Sequence, residues 1–411
     1  MKSRAASEGI ERAIAALGDG PLDERGIAAH VAPLFSRVLS QRAATIDLAN
    51  HSLGRPLDAT AADVAEAIAL WEARMGDAWD GWLEEREAYR ARLARLCGAP
   101  RADCIVPKTS AGQGLRAILN SYPVGSVPRV VATRGEFDSI DVILRHYAGH
   151  GRIALSLIEP RDGGLFAAED LHVAVRGGPE LIVVSQVLFN TGQVLPALPE
   201  LVTAARAQGA RVLLDVYHSL GVFPVDLAAL DVDFAIGGSY KYLRGGPGAC
   251  YLYVHPRHLD GSLSTLDVGW FAKDEPFAYE RPDPPRFAPG GDAFFESTPP
   301  ILPLYQARAG QVFTLAMGVE RLRALSLTQQ RSLVGLLQER GIRAFGGSED
   351  RGAFVVVELR GGDAVRCADA LSGRGVTCDA RGPWLRLCPD VLTTTDELQA
   401  AAAHVTAVVR P

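Results

Sequence analysis

Short apolar runs, rich in β-branched residues, recur through the middle of the chain and are separated by stretches of helix length. Seven runs predict strands, at 104–106, 129–133, 153–158, 181–187, 211–216, 233–237 and 249–254. Helices fit between most of them, for example at 112–120, 138–147 and 198–208. Apolar strands that alternate with helices form a mainly parallel sheet that is covered on both faces. The pattern therefore predicts one large α/β domain with a seven-stranded sheet, whose last strand also fits an antiparallel position.

The pattern differs on both sides of this domain. Residues 1–45 are predicted to form peripheral helices, and 61–97 form a long helical pattern with charges between the apolar positions. A Pro- and Gly-rich stretch at 282–291 predicts a loop. A long helix is expected after it, over 302–325.

The tail of the chain predicts a small α+β domain. Its expected elements are strands at 353–359, 375–379 and 384–387 and helices at 363–373 and 395–409. We therefore divide the chain into three parts: an N-terminal helical arm (1–60), a large α/β domain (61–300) and a small C-terminal domain with its linking helix (301–411).

Composition and charge exclude several classes of function. The 411 residues include 42 Lys and Arg against 48 Asp and Glu, a formal net charge of −6. That balance offers no clustered basic surface for a phosphate backbone, so we expect no nucleic-acid partner. No window reaches the roughly 18 apolar residues of a membrane span, and the first residues lack the apolar core of a secretory signal. We therefore expect no membrane association.

Six cysteines are scattered along the chain without any Cys-x-x-Cys pair, at 97, 104, 250, 367, 378 and 388. In a chain of this length, such spacing is typical of buried thiols in a reducing compartment rather than of disulfides or zinc ligands. We therefore expect a cytoplasmic protein without a metal site.

An acid and a lysine follow two different strands of the predicted sheet. Asp215 ends the run RVLLD, and Lys241 lies in Ser-Tyr-Lys-Tyr, just before a Gly-Gly-Pro-Gly turn. Because the carboxyl ends of parallel strands meet at one edge, both side chains can reach one ligand there. A lysine can form a Schiff base with an aldehyde cofactor, and an acid can keep a pyridine nitrogen protonated. Those are the protein groups that pyridoxal phosphate needs, whereas the alternative is a surface lysine and a helix-capping aspartate.

A phosphate is best bound by backbone N–H groups at a helix N-terminus. Thr109 and Ser110 follow the first predicted strand, directly before the helix expected from Gly112. Since Ser and Thr cap most helices, this signal is weak by itself and gains its weight from its place in the sheet.

The segment Asp215-Val-Tyr-His218, together with Ser239-Tyr-Lys-Tyr-Leu-Arg-Gly-Gly-Pro-Gly248, resembles the kynureninase family. This is a family of fold-type-I pyridoxal-phosphate enzymes in the class V aminotransferase group. Further segments agree with the family in order and spacing: Asn50-His-Ser-Leu-Gly54, Gly269-Trp-Phe271, Ser297-Thr-Pro-Pro-Ile301, and Gly375-Val-Thr-Cys-Asp-x-Arg381 with Leu385-Arg386. The resemblance covers about 45–390 and implies the fold-type-I pyridoxal-phosphate transferase fold.

The resemblance also implies roles for individual residues. Lys241 holds the cofactor and moves the Cα proton, Asp215 pairs with the pyridine nitrogen, and Arg386 binds the carboxylate of a small amino-acid substrate. The other implied cofactor contacts are Thr109, Ser110, Phe137, Ser185, His218, Tyr240, Trp270 and Thr298, with Trp270 and Thr298 reaching the site from the neighbouring subunit of a homodimer.

The reaction that the resemblance implies is hydrolytic Cβ–Cγ cleavage of kynurenine, or a related aryl-keto amino acid, to an aromatic acid and alanine. Tryptophan breakdown and a specialised pathway are both open as its context. The chain departs from the family at Ile140, where an aspartate is usual, at His51, where asparagine is usual, and near Asp77, where some members have a histidine. A class V aminotransferase and another lyase, such as a desulfurase, therefore stay open, as does a non-catalytic binding relative.

Overall fold

A seven-stranded sheet forms the centre of the computed structural model, which describes residues 2–359 and 363–409. In spatial order its strands are Ile105–Lys108, Cys250–Val254, Phe234–Gly238, Arg211–Asp215, Leu181–Ser185, Arg129–Thr133 and Ala154–Ile158. Only Cys250–Val254 runs antiparallel to its neighbours; the other pairings are parallel. The predicted mainly parallel sheet is confirmed, including the antiparallel last strand.

Helices cover both faces of this sheet, which explains why its central strands are apolar at successive positions. Leu181–Ser185, Phe234–Gly238 and Cys250–Val254 are buried along their whole length. The helices that follow the strands are Ala111–Leu119, Asp138–Gly149, Ala168–Arg176, Leu198–Ala207 and Leu227–Leu230. Two apolar cores lie between these helices and the sheet. A strand buried on both faces has no polar side, so it appears in the sequence as an unbroken apolar run.

Two predicted long helices are each broken in the structure. The pattern at 61–97 forms two helices, Ala59–Arg74 and Ala78–Cys97, because Met75 has a φ of 49° and begins a short 3-10 turn. The helix expected over 302–325 ends at Met317, where Gly318 has a φ of 83°, and a second helix runs over Val319–Glu339. A residue in the left-handed region cannot continue a right-handed helix, so the prediction of one helix over 302–325 was wrong, whereas the helical pattern at 61–97 is confirmed as two helices.

The C-terminal part carries its own antiparallel sheet, in the order Asp379–Arg381, Trp384–Leu387, Val355–Glu358 and Ala344–Phe345. Helices Asp363–Ser372 and Thr395–Val409 pack against it around a separate apolar core. The predicted strand 375–379 is divided, because Val376–Thr377 pairs instead with Ile46–Asp47 in a parallel two-stranded sheet. The small α+β domain is confirmed.

The N-terminal residues form the helices Lys2–Ala15, Glu24–Gly26 and Ser36–Gln41, with a π-helical turn at Ile27–Val31. Through the pairing of Ile46–Asp47 they lead into the sheet structure of the small domain, while the boundaries at 60 and 300 stay predictions. Within the part of the chain that the structure describes, no helix has both the length and the apolar character needed to cross a membrane.

Candidate active site

The carboxyl ends of the parallel strands open into a cavity of about 400 Å³. Each predicted residue on its wall directly follows one of those strands or lies at its end, as the topology requires. The predicted residues on its wall are Thr109, Ser110, Phe137, Asp215, His218, Tyr240 and Lys241. The sheet therefore brings residues more than 100 positions apart in the sequence to one ligand-sized space.

Lys241 is buried at the centre of this wall, with only 5% of its surface exposed. Its Nζ donates a hydrogen bond of 2.5 Å to Nε2 of His218 and lies 5.3 Å from the ring centre of Phe137. Burial lowers the pKa of Lys241 to about 7, against the opposing attraction of the Asp215 carboxylate. Burial, and next the charge of Lys241, also hold the pKa of His218 well below its usual range. A neutral amine that can attack an aldehyde is therefore populated near neutral pH.

Asp215 ends the strand Arg211–Asp215 and is buried beneath the same cavity. Its Oδ1 accepts a hydrogen bond of 2.8 Å from the backbone N–H of Tyr217, which fixes the carboxyl group. Burial raises the pKa of Asp215 to about 6, although this hydrogen bond and the Lys241 charge favour the ionised form. A carboxyl group in such a place is stabilised in its charged form by a cation such as a protonated pyridine ring.

Ser185 pairs with Asp215 across neighbouring strands but is not one of the cavity-lining residues. Its hydroxyl donates 2.6 Å to Oε2 of Glu136, whose Oε1 accepts 2.5 Å from the hydroxyl of Thr133. Burial raises the pKa of Glu136 to about 7, although both hydroxyl hydrogen bonds oppose the shift. Sequence reasoning missed Glu136; the available signal was an acid directly before Phe137 and after an apolar strand.

The end of the cavity predicted to bind phosphate is formed by the start of the helix Ala111–Leu119. Ser110 caps this helix, and its Oγ accepts 3.2 Å from the backbone N–H of Gln113. The backbone N–H and the hydroxyl of Thr109 both donate to Oε1 of Gln113, each at 2.7 Å. The donors of Thr109 are therefore occupied within the chain, whereas Arg116, which the sequence reasoning missed, lines the cavity.

Arg386 is 2% exposed and lies outside the set of cavity-lining residues. Its Nε and Nη2 donate to Oδ1 and Oδ2 of Asp379, at 2.7 and 2.5 Å, and its Nη1 donates to the carbonyl of Phe189. Asp379 also accepts hydrogen bonds from Nε2 of His51 at 2.8 Å and from the hydroxyl of Ser52 at 2.5 Å. One bidentate edge of Arg386 is thus already engaged by a carboxylate of this chain.

Burial alone would raise the pKa of Asp379, but the hydrogen bonds and charges of His51 and Arg386 outweigh it and hold this pKa far below its usual range. Burial, and next the charge of Arg386, lower the pKa of His51 to about 4, so its ring is neutral and donates to Asp379 through Nε2. The ring lies 6.4 Å from that of His218. His51, where the family has asparagine, therefore lies between the Asp379–Arg386 ion pair and the surroundings of Lys241.

The other departures from the family are equally well defined. Ile140 is wholly buried in an apolar core, and the neighbouring Asp141 forms an ion pair of 2.7 Å with Arg145. Asp77 ends the exposed 3-10 turn between the two N-terminal helices of the large domain. Asp141 is therefore paired with Arg145 and does not replace the aspartate that the family usually has at the position of Ile140.

Trp270 and Thr298 contact each other outside the main cavity. The indole Nε1 of Trp270 donates 3.0 Å to the hydroxyl of Thr298, which is exposed. Thr298 lines an adjoining cavity of about 240 Å³ that shares Thr109 and Gly248 with the main one. The pair therefore lies at the surface, next to the end of the cavity that is predicted to bind phosphate.

The residues of the cavity fit a pyridoxal phosphate molecule. Lys241 supplies an amine for the aldehyde, Asp215 an acid for the pyridine nitrogen, Phe137 an aromatic face, and the helix after Ser110 an N-terminus for the phosphate. A buried ring nitrogen, Nδ1 of His218, has no hydrogen-bond partner among the described residues, while Nε2 of the same ring accepts from the Lys241 amine. This unsatisfied group is expected in a site that is completed by a ligand.

Comparisons with known proteins agree with this geometry. A family model described as Aminotransferase class-V matches residues 78–386. The kynureninase of Salinispora tropica is 31% identical over 372 residues, covering 85% of this chain and 86% of that protein. The kynureninase of Geobacillus thermodenitrificans is 30% identical over 332 residues, covering 77% and 76%.

Solved structures show the same fold at lower identity. The cysteine desulfurase of Thermococcus onnurineus NA1 has a TM-score of 0.77 and 17% identity, covering 91% of this chain and 96% of its own. A variant of C-DES, a cystine C–S lyase, with glycine covalently linked to the PLP cofactor, has a TM-score of 0.80 and 19% identity, covering 91% of this chain and 98% of its own. The predictions of fold, family and pyridoxal 5′-phosphate as the cofactor are thus confirmed. The chain belongs to the class-V aminotransferase family of pyridoxal-phosphate-dependent enzymes, and kynureninases about 30% identical to it are among its relatives.

Proposed function

We propose that this enzyme cleaves the Cβ–Cγ bond of kynurenine, or of a related aryl-keto amino acid, by hydrolysis, with an aromatic acid and alanine as products. The observation that carries the proposal is the pair Lys241 and Asp215 on one cavity wall, in a chain about 30% identical to kynureninases over most of its length. The departures at His51, Ile140 and Asp77 concern the substrate more than the cofactor, so related aryl-keto amino acids belong to the proposal.

When bound, pyridoxal phosphate supplies an electron sink that stabilises negative charge on the substrate Cα. Lys241 would hold its aldehyde through Nζ, and the free Lys241 amine would take the Cα proton as a general base. Its lowered pKa suits this role, because the neutral amine is the form that accepts a proton near pH 7. His218 accepts the hydrogen bond of this amine and so orients it.

Asp215 keeps a proton on the pyridine nitrogen, since its carboxylate, fixed by the Tyr217 N–H, is buried and needs a cation. Phe137 would provide an aromatic surface for the ring, and its own ring is held edge-on by Phe189 at 5.3 Å. Arg386 holds the substrate carboxylate with the part of its guanidinium that now donates to the Phe189 carbonyl, while Asp379 keeps the other edge in place.

Product analysis tests the proposal directly. The loaded enzyme is incubated with kynurenine and with 3-hydroxykynurenine, and the aromatic acid is measured by fluorescence and alanine by amino-acid analysis. We expect both products in equal amounts from at least one substrate, and a loss of several orders of magnitude in rate for Lys241→Ala. Normal turnover by Lys241→Ala contradicts the mechanism.

The same experiment distinguishes the alternatives within the family. An aminotransferase needs a keto-acid acceptor, so glutamate formed from an amino acid and 2-oxoglutarate, without the aromatic acid, favours transamination. A desulfurase needs a reactive thiol, yet Cys250, which lines the cavity, is fixed on a strand, and burial raises its pKa to about 11. Cys378 lies in the small domain, and burial raises its pKa to about 12. Sulfide released from cysteine contradicts the hydrolase proposal.

A non-catalytic relative would not form the covalent bond between Lys241 and the cofactor. We expect the purified enzyme to show a visible absorption band that borohydride removes, with the reduced cofactor attached at Lys241 by mass analysis. A protein without this band supports the inert alternative.

We also propose that the enzyme is a homodimer whose active sites lie at the interface. The surface beside Trp270 and Thr298 exposes further aromatic side chains: Phe277 is 39%, Phe287 42% and Tyr279 70% exposed. Trp270 stacks on Tyr279 at 6.2 Å and meets Phe277 edge-on at 5.4 Å, so these three rings form one aromatic patch next to the phosphate end of the site. A patch of this kind on a soluble chain is typical of a protein interface.

A further inference from the structure

The phosphate of the cofactor carries up to two negative charges, and the residues assigned to it above supply no cation. Thr109 and Ser110 are neutral, and both donor groups of Thr109 are already bonded to Oε1 of Gln113. Ser110 accepts a hydrogen bond from the Gln113 N–H as the helix cap. A buried or half-buried dianion without a cationic partner is unfavourable, so a positive side chain is expected nearby.

Arg116 is the positive side chain in that position. Among the residues that line the cavity, all within the described chain, only Arg116 and Lys241 carry a positive charge, since His218 is neutral. Lys241 is reserved for the aldehyde and becomes part of the covalent bond. Arg116 is half-buried, and the described residues 2–359 and 363–409 offer its guanidinium no ion pair or hydrogen bond.

The orientation of Arg116 brings it to the start of the helix. Helical side chains lean towards the N-terminus, so an arginine on the second turn of Ala111–Leu119 reaches back over the first. A Cβ placed on Gly112 would lie 2.9 Å from Cδ1 of Ile143, 3.2 Å from Nη1 of Arg116 and 3.7 Å from Oγ of Ser110. The guanidinium and the Ser110 hydroxyl therefore both lie next to Gly112, at the start of the helix.

We propose that Arg116 is the cationic ligand of the cofactor phosphate. It acts together with the free N–H groups of the first helical turn, while Thr109 stays bonded to Gln113. The inference rests on the pyridoxal-phosphate site described above and adds a residue that neither the sequence motifs nor the family resemblance assigned. A planar guanidinium suits this task, because it can offer two parallel donors to two phosphate oxygens.

Titration of the cofactor-free protein with two forms of the cofactor tests the role. Pyridoxal phosphate and pyridoxal differ only in the phosphate, and both give a visible absorption band when they bond to Lys241. We expect Arg116→Gln to raise the Kd for pyridoxal phosphate by about ten- to a hundredfold and to leave the Kd for pyridoxal unchanged. Arg116→Lys keeps the positive charge but lacks the two parallel donors of a guanidinium. Its Kd for pyridoxal phosphate should therefore lie between those of the wild type and Arg116→Gln.

Arg145→Gln is the matched control, because Arg145 lies on the next helix, Asp138–Gly149, and is paired with Asp141 at the surface. We expect it to bind both compounds as the wild type does. Added KCl should weaken pyridoxal phosphate binding by the wild type more than by Arg116→Gln, since salt screens the charge that the variant lacks.

Each outcome bears on a different claim. An unchanged Kd for pyridoxal phosphate in Arg116→Gln overturns the proposal, and so does an equal loss for pyridoxal, which would make Arg116 a support of the pocket wall. A wild-type protein that forms no band with either compound contradicts the cofactor site itself, and with it the role of Arg116.

Discussion

Burial moves the pKa values of three acid–base groups at this site towards neutrality. The pKa of Lys241 falls to about 7, while those of Asp215 and Glu136 rise to about 6 and about 7, in each case chiefly because the charged form loses its water. Groups with such pKa values change protonation state readily at physiological pH, which is what proton transfer requires. At the scale of the residue, the shifted pKa values therefore result from burial of ordinary side chains away from water.

Glu136 gives a stability prediction with a defined sign. The folded protein keeps the Glu136 proton up to about pH 7, whereas the unfolded chain releases it near pH 4.5. The unfolded state thus binds fewer protons in this window, and the free energy of unfolding falls as pH rises through it. In Glu136→Gln this contribution disappears. Between pH 5 and pH 8, the free energy of unfolding of the cofactor-free variant should therefore fall by about 3 kcal/mol less than that of the wild type, as measured by urea unfolding.

Glu339→Gln serves as the control for that comparison, because Glu339 is exposed at the end of the helix Val319–Glu339. Its pH dependence should match the wild type. If the free energy of unfolding depends on pH equally in Glu136→Gln and in the wild type, the folded protein ionises Glu136 as readily as the unfolded chain does.

Asp379 gives a second prediction at this scale, based on the proposed carboxylate site. Asp379→Asn removes the charge that orients one edge of Arg386 and leaves the buried guanidinium without its partner. We expect a loss of about 3 kcal/mol in the free energy of unfolding and a rise in KM that exceeds the change in kcat.

Asp363→Asn is the comparison for Asp379, since Asp363 forms an exposed ion pair with Arg366 in the same domain. Exposed pairs contribute little, so this variant should behave as the wild type. A change in kcat alone for Asp379→Asn would contradict a role in substrate binding.

At the scale of the element, the loop that carries Lys241 is held by the segment Asn50–Gly54. The backbone N–H of Gly54 donates 2.8 Å to the carbonyl of Tyr240, and a Cβ on Gly54 would lie 2.1 Å from the carbonyl oxygen of Lys241. A motif that looks remote in the sequence is thus a support for the catalytic loop, and its glycine is needed for close approach of two backbones.

Gly54→Ala should therefore displace the Lys241 loop. We expect a loss of about 1–3 kcal/mol in the free energy of unfolding, as in other overpacked sites, together with weaker cofactor binding. Thermal unfolding and the absorbance of the bound cofactor measure both effects. Gly76→Ala is the matched control, because a Cβ there meets nothing within 4 Å. Full cofactor binding by Gly54→Ala would show that the Lys241 loop can shift to accommodate the added methyl group.

At the scale of the whole molecule, the proposed homodimer predicts complementation between inactive subunits. If Trp270 serves the partner's site, a mixed dimer of Lys241→Ala and Trp270→Ala protomers contains one intact site. Random reassortment makes about half of the dimers mixed, so about a quarter of the wild-type activity should return. Lys241→Ala mixed with Asp215→Asn is the control, since both residues line the same cavity and no intact site can form. Activity that stays absent in the first mixture places Trp270 in its own subunit's site.

Local pattern was sufficient for the strands of the large sheet, for the small domain and for the expectation that Lys241 and Asp215 lie on one cavity wall. A strand buried on both faces must be apolar throughout, and an acid and a lysine after parallel strands must share an edge, so both features are visible in a single sequence. Contacts between distant segments settled the rest. The pairing of Ile46–Asp47 with Val376–Thr377 and the hydrogen bond from Arg386 to the carbonyl of Phe189 depend on neighbours that no short window contains. The same holds for the buried Glu136 and for Arg116, whose surroundings exist only once the chain has folded.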